Sequence, residues 1–341
     1  MCSKGLFVKK ALLVAVVISS SLFAASLQQK ALNSGLAAIP SDNTALKKLI
    51  DPNKTMSKAK IALGKKLFFD PRLSKSGFIS CNSCHNLATG GVDGLEAAVG
   101  HQWTINPHHL NSPTVYNAVF FNKQFWDGRS PHLEDQAQGP IQAGPEMAAT
   151  KDHVVKTVSS MPEYVADFKK AYGKKAIITF ERLTDTIGIF ERTLVTPSRF
   201  DAFLEGKSKA LNATEKKGLT LFIDKGCVSC HTGIALGGSM NTFNFADYKY
   251  KAGDFKGDKN GMVKVPTLRN VAQTAPYFHN GKVWSLKEAI IEMGRIQLGT
   301  KISNHDAKAI EAFLNSLTGK KGHIAYPQLP AVTAKTPRPQ L

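Results

Sequence analysis

The chain has 341 residues, of which 43% are hydrophobic and 21% charged, and a formal net charge of +18. This length favours two domains behind an N-terminal targeting segment over a single core. The composition argues against a disordered chain and against a polytopic membrane protein. No run of five or more Lys or Arg occurs, so the charge predicts a solvated basic surface, suited to a partner that docks through acidic residues, and no nucleic-acid site.

Residues 1–26 have the pattern of a secretory signal peptide. Three lysines open the segment, "ALLVAVVI" (11–18) is apolar, and "AAS" (24–26) supplies small residues for cleavage. An uncleaved membrane anchor is the less favoured alternative, because the apolar run is shorter than the roughly 20 residues that span a bilayer. We expect an exported, periplasmic protein that begins near Leu27 and is not inserted in the membrane.

Two copies of Cys-x-x-Cys-His stand in the predicted mature chain, and they contain all of its cysteines. In this pattern the two thiols form thioethers with a c-type haem, and the adjacent His ligates the iron. The repetition disfavours a zinc site, a redox dithiol and a disulfide pair. The sequence therefore predicts two covalently bound haem c groups, with the attachment residues Cys81, Cys84, Cys227 and Cys230 and the proximal ligands His85 and His231.

Similar surroundings of the two motifs indicate a duplicated unit. "GKKLFFD" (64–70) precedes the first motif and "GLTLFID" (218–224) precedes the second, and a Gly-Gly pair follows each. Ser57 and the pair Asn212 with Glu215 have the pattern of helix N-caps in front of these stretches. Each unit is therefore predicted to begin with a helix that leads into its haem motif.

Further helices are predicted at 180–195 and 303–318, whereas alternation typical of strands is scarce. We expect two mostly helical domains, an N-terminal haem domain at 27–200 and a C-terminal haem domain at 201–325. The Pro-bearing segment 326–341 is expected to be an extended tail.

The residues alone leave the second axial ligand of each haem open. A Met opposite the proximal His raises the reduction potential, whereas a second His generally keeps it lower. The candidates are Met240, Met262 and Met293 in the second unit and His101, His108 and His109 in the first.

Several stretches, together with both haem motifs, resemble the bacterial di-haem cytochrome c peroxidases. They are "FWDGR" (125–129), "QAQGPIQAGPEM" (136–147) and "VPTLRNVAQTAPYFHNGKVWSLKEAI" (265–290). The resemblance covers almost all of the mature chain and implies a mainly α fold of two cytochrome c-like domains, each with one haem. It implies reduction of hydrogen peroxide at a lower-potential N-terminal haem, with electrons from a higher-potential His/Met haem. A small soluble donor such as cytochrome c would supply those electrons.

The resemblance also implies roles for individual residues. The distal ligand of the first haem would be His101, with His108 and His109 as alternatives, and the ligand of the second would be Met293. Trp126 would lie between the haems. Gln136 would orient peroxide, and Glu146 would move its proton.

A calcium ion at the domain interface and a homodimer are further implications of the resemblance. The calcium ligands would be Asn111 and the backbone carbonyls of Thr274 and Pro276, which are oxygen donors suited to a hard cation. Reduction of the second haem is expected to loosen the "GHQW" loop and to free the first iron.

Two rival functions stay open at this level. One is a di-haem electron-transfer cytochrome without peroxidase activity, which has no use for the stretch at 136–147. The other is a di-haem oxidase similar to MauG, which uses a tyrosine ligand, and no clear tyrosine stands at the matching place.

Overall fold

A computed structural model describes residues 26–341 of the chain, so residues 1–25 of the predicted signal peptide lie outside the described part. Within the described range the fold is mainly α, as predicted, with thirteen α-helices and one pair of three-residue strands. No helix in this range is both long enough and apolar enough to cross a membrane.

The helices differ widely in length, and short 3-10 turns and loops connect them. The α-helices are α1 (Leu27–Asn33), α2 (Asn43–Ile50), α3 (Lys58–Phe69), α4 (Cys81–Cys84), α5 (Leu133–Gln136), α6 (Gln138–Gln142), α7 (Lys151–Ser159), α8 (Pro162–Tyr172), α9 (Phe180–Glu191), α10 (Arg199–Leu204), α11 (Ala213–Asp224), α12 (Leu286–Gln297) and α13 (Asn304–Asn315). Strands β1 (Met240–Thr242) and β2 (Met262–Lys264) pair antiparallel.

Side-chain caps explain where the predicted helices begin. Ser57 Oγ accepts a hydrogen bond from the Lys60 N–H at the start of α3. Asn212 and Glu215 form a reciprocal capping box on α11, and Ser303 caps α13. These caps satisfy N–H groups that have no partner within the helix. Helices α9 and α13 end a few residues before the ends of their predicted stretches.

Each unit is built on two helices that cross at a glycine. Gly64 of α3 lies against α9, where an added Cβ would overlap the carbonyl oxygen of Thr186. Gly218 of α11 lies against α13 in the same way, at the carbonyl oxygen of Ala309. Separate apolar clusters surround the two crossings and form two cores. The glycines allow the close backbone approach on which both cores are built.

A second part of the unit is repeated at constant spacing. Asn117 and Asn270 both have a left-handed backbone, with φ of 62° and 60°, and each begins a 3-10 turn. At the same spacing, Phe125 and Phe278 have φ of 66° and 68°. An isolated β-bridge closes each of the two loops that contain these phenylalanines. The loop of the first unit therefore has a structural counterpart in the second.

Polar side chains join the two units near Thr196. Its Oγ1 accepts hydrogen bonds from Asn117 Nδ2 at 2.8 Å and from Asn270 Nδ2 at 2.9 Å. Gly319 N–H donates to Asn270 Oδ1 at 2.8 Å. All of these groups are buried, so each has a partner in place of water.

The N-terminal segment packs on the second unit. Ala31 and Leu36 belong to the core that surrounds α11 and α13. The Ile39 N–H donates to Asp201 Oδ1 at 2.7 Å, and Asp201 also forms a two-point ion pair with Arg269 at 2.8 and 3.0 Å. Arg269 is fully buried, so this pair links the start of the chain to the second unit without screening by solvent.

The C-terminal tail packs on the first unit. Tyr326 accepts a hydrogen bond from Asn82 Nδ2 at 3.1 Å, and its ring lies 4.8 Å from that of Phe69. Farther along, the Gln340 N–H donates to the Lys75 carbonyl at 2.9 Å. The tail therefore runs over the segment that contains the first haem motif.

Candidate active site

The first Cys-x-x-Cys-His motif forms the short helix α4, and His85 follows as its C-cap. His85 Nδ1 lies 3.0 Å from the Pro113 carbonyl oxygen, which fixes the ring and leaves Nε2 for a ligand. Burial lowers the pKa of His85, so the imidazole is held in the neutral form that binds iron. Cys81 and Cys84 take part in no disulfide bond, so both sulfur atoms are available for thioether bonds to haem.

The second motif has the same arrangement on a 3-10 turn. His231 Nδ1 lies 3.1 Å from the Leu236 carbonyl oxygen. Burial lowers the pKa of His231 to about 4. Cys230 Sγ accepts from Asn241 Nδ2 at 2.9 Å, and neither Cys227 nor Cys230 takes part in a disulfide bond. Both sites present two thiols and a neutral, oriented imidazole beside a cavity, which is the donor set that haem c requires.

The first cavity lies beside α4 and has a volume of about 130 Å³. The structure brings His85, Trp126, Gln136 and Glu146 into its wall. Gln136 is the last residue of α5, and Glu146 follows α6. An amide and a carboxyl group therefore share one cavity with the neutral imidazole, as predicted for a peroxide pocket.

The second cavity, of about 200 Å³, lies beside His231. Met293 of α12 lines it, together with apolar residues such as Leu314 of α13. Met240 and Met262 do not line it, and Met240 Sδ lies instead against Gly128 of the first unit. Of the three methionines, Met293 is therefore the one placed to act as a second haem ligand.

Trp126 belongs to the wall of both cavities. It is 8% exposed, and its Nε1–H donates to the Asn111 carbonyl at 2.9 Å. Its own carbonyl accepts from the Lys264 N–H at 2.8 Å. Asn111 and Lys264 also line both cavities, as do Ser112, Pro113, Thr114 and Phe121, so Trp126 belongs with them to a partition between the two predicted haem sites.

His101 is buried next to the first cavity but does not line it, whereas the neighbouring Gly100 does. Its backbone N–H donates to the Glu146 carbonyl at 2.7 Å, and its Nδ1 has no hydrogen-bond partner. The predicted distal ligand is thus buried beside Gly100 and is not part of the cavity wall.

The two alternative histidines also stay outside the cavity. His108 is exposed and lies 2.8 Å from Asp254, on the surface. His109 lies 3.9 Å from Glu96. Neither lines the first cavity, so the identity of the distal ligand stays a prediction.

Two effects act on the pKa of Glu146, and one of them comes from Arg129, which was not among the site residues predicted from the sequence. Burial raises the pKa of Glu146, and the charge of Arg129 acts in the other direction. The guanidinium of Arg129 lies 3.4 Å from the centre of the Phe125 ring and 2.9 Å from Asp127. Burial therefore favours the protonated form of this carboxyl group, and the charge of Arg129 limits that effect.

The repeated loop explains why only the second cavity has a methionine. At the spacing that relates Phe125 to Phe278, Met293 corresponds to Pro140 of the first unit. Helix α12 is continuous there, whereas the corresponding segment is broken into α5 and α6. Both Pro140 and Met293 line their cavities. The first unit therefore has no side chain at this point that is able to ligate iron, which suits a site that must bind substrate.

The three predicted calcium ligands, Asn111, Thr274 and Pro276, all line the second cavity. Asn111 Nδ2 donates to the Leu95 carbonyl at 2.7 Å, so Oδ1 is the atom that remains for a cation. These oxygen donors suit calcium.

Four cavity residues were missed by the sequence reasoning: Phe125, Arg129, Glu191 and Lys264. Phe125 and Arg129 flank Trp126 in "FWDGR", so the motif itself pointed to them. Lys264 directly precedes the "VPTLRN" stretch. Glu191 is one of several charged residues of α9, and the sequence did not distinguish it without its structural counterpart in the second unit.

Comparison with known proteins agrees with this geometry. The family described as di-haem cytochrome c peroxidase matches residues 58–209, and cytochrome c matches residues 215–318. A cytochrome c551 peroxidase of Pseudomonas aeruginosa is 49% identical, over 81% of this chain and 84% of that protein. A cytochrome c551 peroxidase of Nitrosomonas europaea is 44% identical, over 95% of this chain and 98% of that protein.

The chain belongs to the di-haem cytochrome c peroxidase family. The resemblance seen in the sequence is therefore confirmed, and so are the two cytochrome c units with covalently bound haem c. As a member of this family the chain is a peroxide-reducing oxidoreductase. Among solved structures, a MauG-like protein associated with microbial copper homeostasis is similar with a TM-score of 0.68 and 25% identity, over 78% of this chain and 91% of that one.

Proposed function

We propose that the enzyme reduces hydrogen peroxide to water in the first cavity, with electrons that enter through the second haem from a small soluble donor such as cytochrome c. Peroxide reduction takes two electrons and two protons, and one haem iron supplies one electron in a ferrous-to-ferric step. A second haem provides the other. The observation that carries the proposal is the partition at Trp126, which separates a polar cavity with Gln136 and Glu146 from a cavity with Met293.

In this proposal the residues of the first cavity handle the substrate and its protons. Haem held by Cys81, Cys84 and His85 would supply the redox chemistry for cleavage of the oxygen–oxygen bond. Glu146 takes the proton from the near oxygen and returns it to the departing one, for which a raised pKa suits a carboxyl group. Gln136 orients peroxide by hydrogen bonding. The charge of Arg129 lowers the pKa of Glu146, which helps the carboxyl group to ionise.

Access to the first haem is proposed to depend on the loop that carries His101. As the distal ligand, His101 would occupy the position that peroxide needs. Electron entry at the second haem would loosen this loop and free the first iron. The contact between His101 and Glu146 supports such a coupling, because it joins the ligand loop to the loop of the proton carrier.

Three further features belong to the proposal. Calcium would bind at Asn111, Thr274 and Pro276, next to Trp126, and would hold the partition in place. The protein would act in the periplasm after removal of residues 1–26, and it would form a homodimer.

Peroxide turnover tests the proposal against a cytochrome that only transfers electrons. The purified protein is half-reduced with calcium present, and oxidation of reduced cytochrome c is followed after peroxide is added. We expect turnover in the wild type and a loss of about 10²–10⁴-fold in Glu146→Gln with both haems retained. Asp135→Asn, a carboxyl change on neighbouring α5, serves as the control. Absence of turnover in the wild type would remove the peroxidase assignment.

The oxidase alternative depends on a tyrosine ligand. In the second cavity the side chain of α12 that is placed for ligation is Met293. Met293 therefore supports the peroxidase.

A further inference from the structure

The helix crossing in each unit shows which positions of the two units are equivalent, so the two haem cavities can be compared residue by residue. Gly64 contacts α9 at Thr186 and at Phe190 Cβ. Gly218 contacts α13 at Ala309 and Phe313 Cβ in the same pattern. Phe190 and Phe313 are therefore equivalent positions, and so are the residues that follow them.

Those following residues are Glu191 in the first unit and Leu314 in the second. Both are buried, at 5% and 3% exposure, and each lines the cavity of its own unit. A leucine at this position is what an apolar haem pocket requires. In the first unit the fold instead places a carboxyl group there, and its Oε2 has no hydrogen-bond partner.

We propose that Glu191 is a proton-binding residue of the first haem site, ionised when the haem is oxidised and protonated when it is reduced. It is distinct from Glu146, which acts on peroxide. When the first haem takes up one electron from the second, Glu191 takes up one proton from solvent, so that the net charge of the cavity is unchanged. The proposal rests on the proposed function only in requiring haem in the first cavity.

The physical reason is the cost of a net charge in a buried site. Oxidised haem carries one positive charge more than reduced haem, so it stabilises an adjacent carboxylate. After reduction that charge is lost, and a buried carboxylate without a partner becomes costly. Burial and the neighbouring Glu134 raise the pKa of Glu191 to about 8, so a modest change in haem charge moves it through neutral pH.

Charged groups face Glu191 from several elements. Glu134 of α5 lies beside it, is paired with Arg192 at 2.5 Å, and lies 3.2 Å from His132 Nδ1. Helix α3 presents Phe68 to α9, and α7 meets the opposite end of α9, where Lys151 pairs with Glu181. Cys81 of α4 lies close enough for Glu191 to raise the pKa of its thiol, and that thiol no longer titrates once it is a thioether. Across the cavity stand His85, Arg129, Glu146 and Lys264.

The test is the midpoint potential of each haem, measured by spectroelectrochemistry of the haem-loaded protein at a series of pH values. In the wild type the first haem should become harder to reduce as pH rises, approaching a tenfold change in the reduction equilibrium per pH unit, which is 59 mV for one electron. In Glu191→Gln and Glu191→Leu this dependence should disappear, and the alkaline potential should rise to the acid plateau. The second haem should not change in either variant.

Asp185→Asn is the matched control, because it removes an exposed carboxyl group from the same helix. It should leave the pH dependence intact. An unchanged pH dependence in both Glu191 variants, with haem still bound, would overturn the proposal.

An infrared difference spectrum of the wild type keeps the proposal testable if a variant fails to bind haem. Reduction of the first haem should produce the carbonyl band of one protonated carboxyl group, and absence of that band would also overturn the proposal. Neither measurement involves peroxide, so a failure of the proposed peroxidase mechanism would appear separately, in turnover.

Discussion

The backbone N–H of His101 donates a 2.7 Å hydrogen bond to the carbonyl of Glu146. The two loops also touch at Gly100, where an added Cβ would overlap the Pro145 carbonyl oxygen. One loop carries the predicted distal ligand and the other carries the predicted proton carrier. A movement of either loop must therefore displace the other, which couples access to the first iron with placement of the carboxyl group.

Replacing Gly100 with Ala tests this coupling. The new Cβ has no room between the two loops, so we expect them to separate and the first haem to open without prior reduction. The fully oxidised variant should then react with peroxide, seen as a change in its haem absorption spectrum, whereas the oxidised wild type should not. Gly144→Ala on the facing loop is the control, since nothing lies within 4 Å of its Cβ. Equal behaviour of both variants would contradict the coupling.

Replacing Arg129 with Met should change the pH dependence of turnover. Arg129 lowers the pKa of Glu146 against the effect of burial, so its removal should raise that pKa further. Because Glu146 must be ionised to accept a proton, activity is lost as pH falls through its pKa. The acid limb of the kcat/KM profile should therefore move to higher pH. A limb that stays in place would show that another group controls it.

Replacing Met293 with Leu should lower the potential of the second haem, because a thioether ligand opposite His raises it. Potentiometric titration of the two haems would measure the change, and electron uptake from cytochrome c should slow with it. Met240→Leu provides the comparison, since Met240 packs against Gly128 away from the second cavity. If the two variants have the same potential, Met293 is not the ligand.

Replacing Asn111 with Ala should weaken calcium binding, which calorimetric titration of calcium into the metal-free protein would measure. The side chain is the one predicted ligand that a substitution removes directly, since Thr274 and Pro276 act through backbone carbonyls. Asn111→Asp keeps an oxygen donor at the same place and should retain binding. Calcium affinity equal to the wild type in Asn111→Ala would place the ion elsewhere.

Replacing Arg269 with Met should destabilise the second unit by about 3–5 kcal/mol, because it leaves Asp201 as an unpaired buried charge. Guanidinium unfolding followed at the second haem would report the loss. Lys156→Met, which breaks the exposed pair with Asp152, should cost no more than about 0.5 kcal/mol. Similar costs for the two variants would mean that the buried pair is not a structural link.

Local signals in the sequence were sufficient for the haem motifs and the main helices. The pattern Cys-x-x-Cys-His by itself predicts haem attachment, and a cap such as Ser57 depends on contacts within four residues of chain. The resemblance predicted Trp126 between the haems, but the sequence did not indicate that Asn111 and Lys264 join it in the partition, because these residues are distant in the chain and meet only through tertiary packing. Glu191 was missed for a related reason, since its significance depends on Leu314 in the other unit.

Sequence spacing alone does not determine where the His101 side chain lies. Loop length puts the residue within reach of the first haem, but its direction depends on backbone angles. The neighbouring Gln102 and Trp103 have φ of 55° and 58°, which spacing does not encode. The bridge between Val99 and Ile105 closes this loop, and the hydrogen bond from the His101 N–H to the Glu146 carbonyl joins it to the neighbouring one.

The N-terminal segment packs on the second unit and the C-terminal tail packs on the first, and this arrangement affects how the protein is made. Residues 326–341 lie more than 200 residues after the first haem motif, yet Tyr326 touches Asn82 between the two cysteines of that motif. Because export proceeds from the N-terminal end, the enzyme that attaches haem would meet this motif before residues 326–341 follow it. The surroundings of the first haem are thus completed by a segment that arrives well after its attachment cysteines.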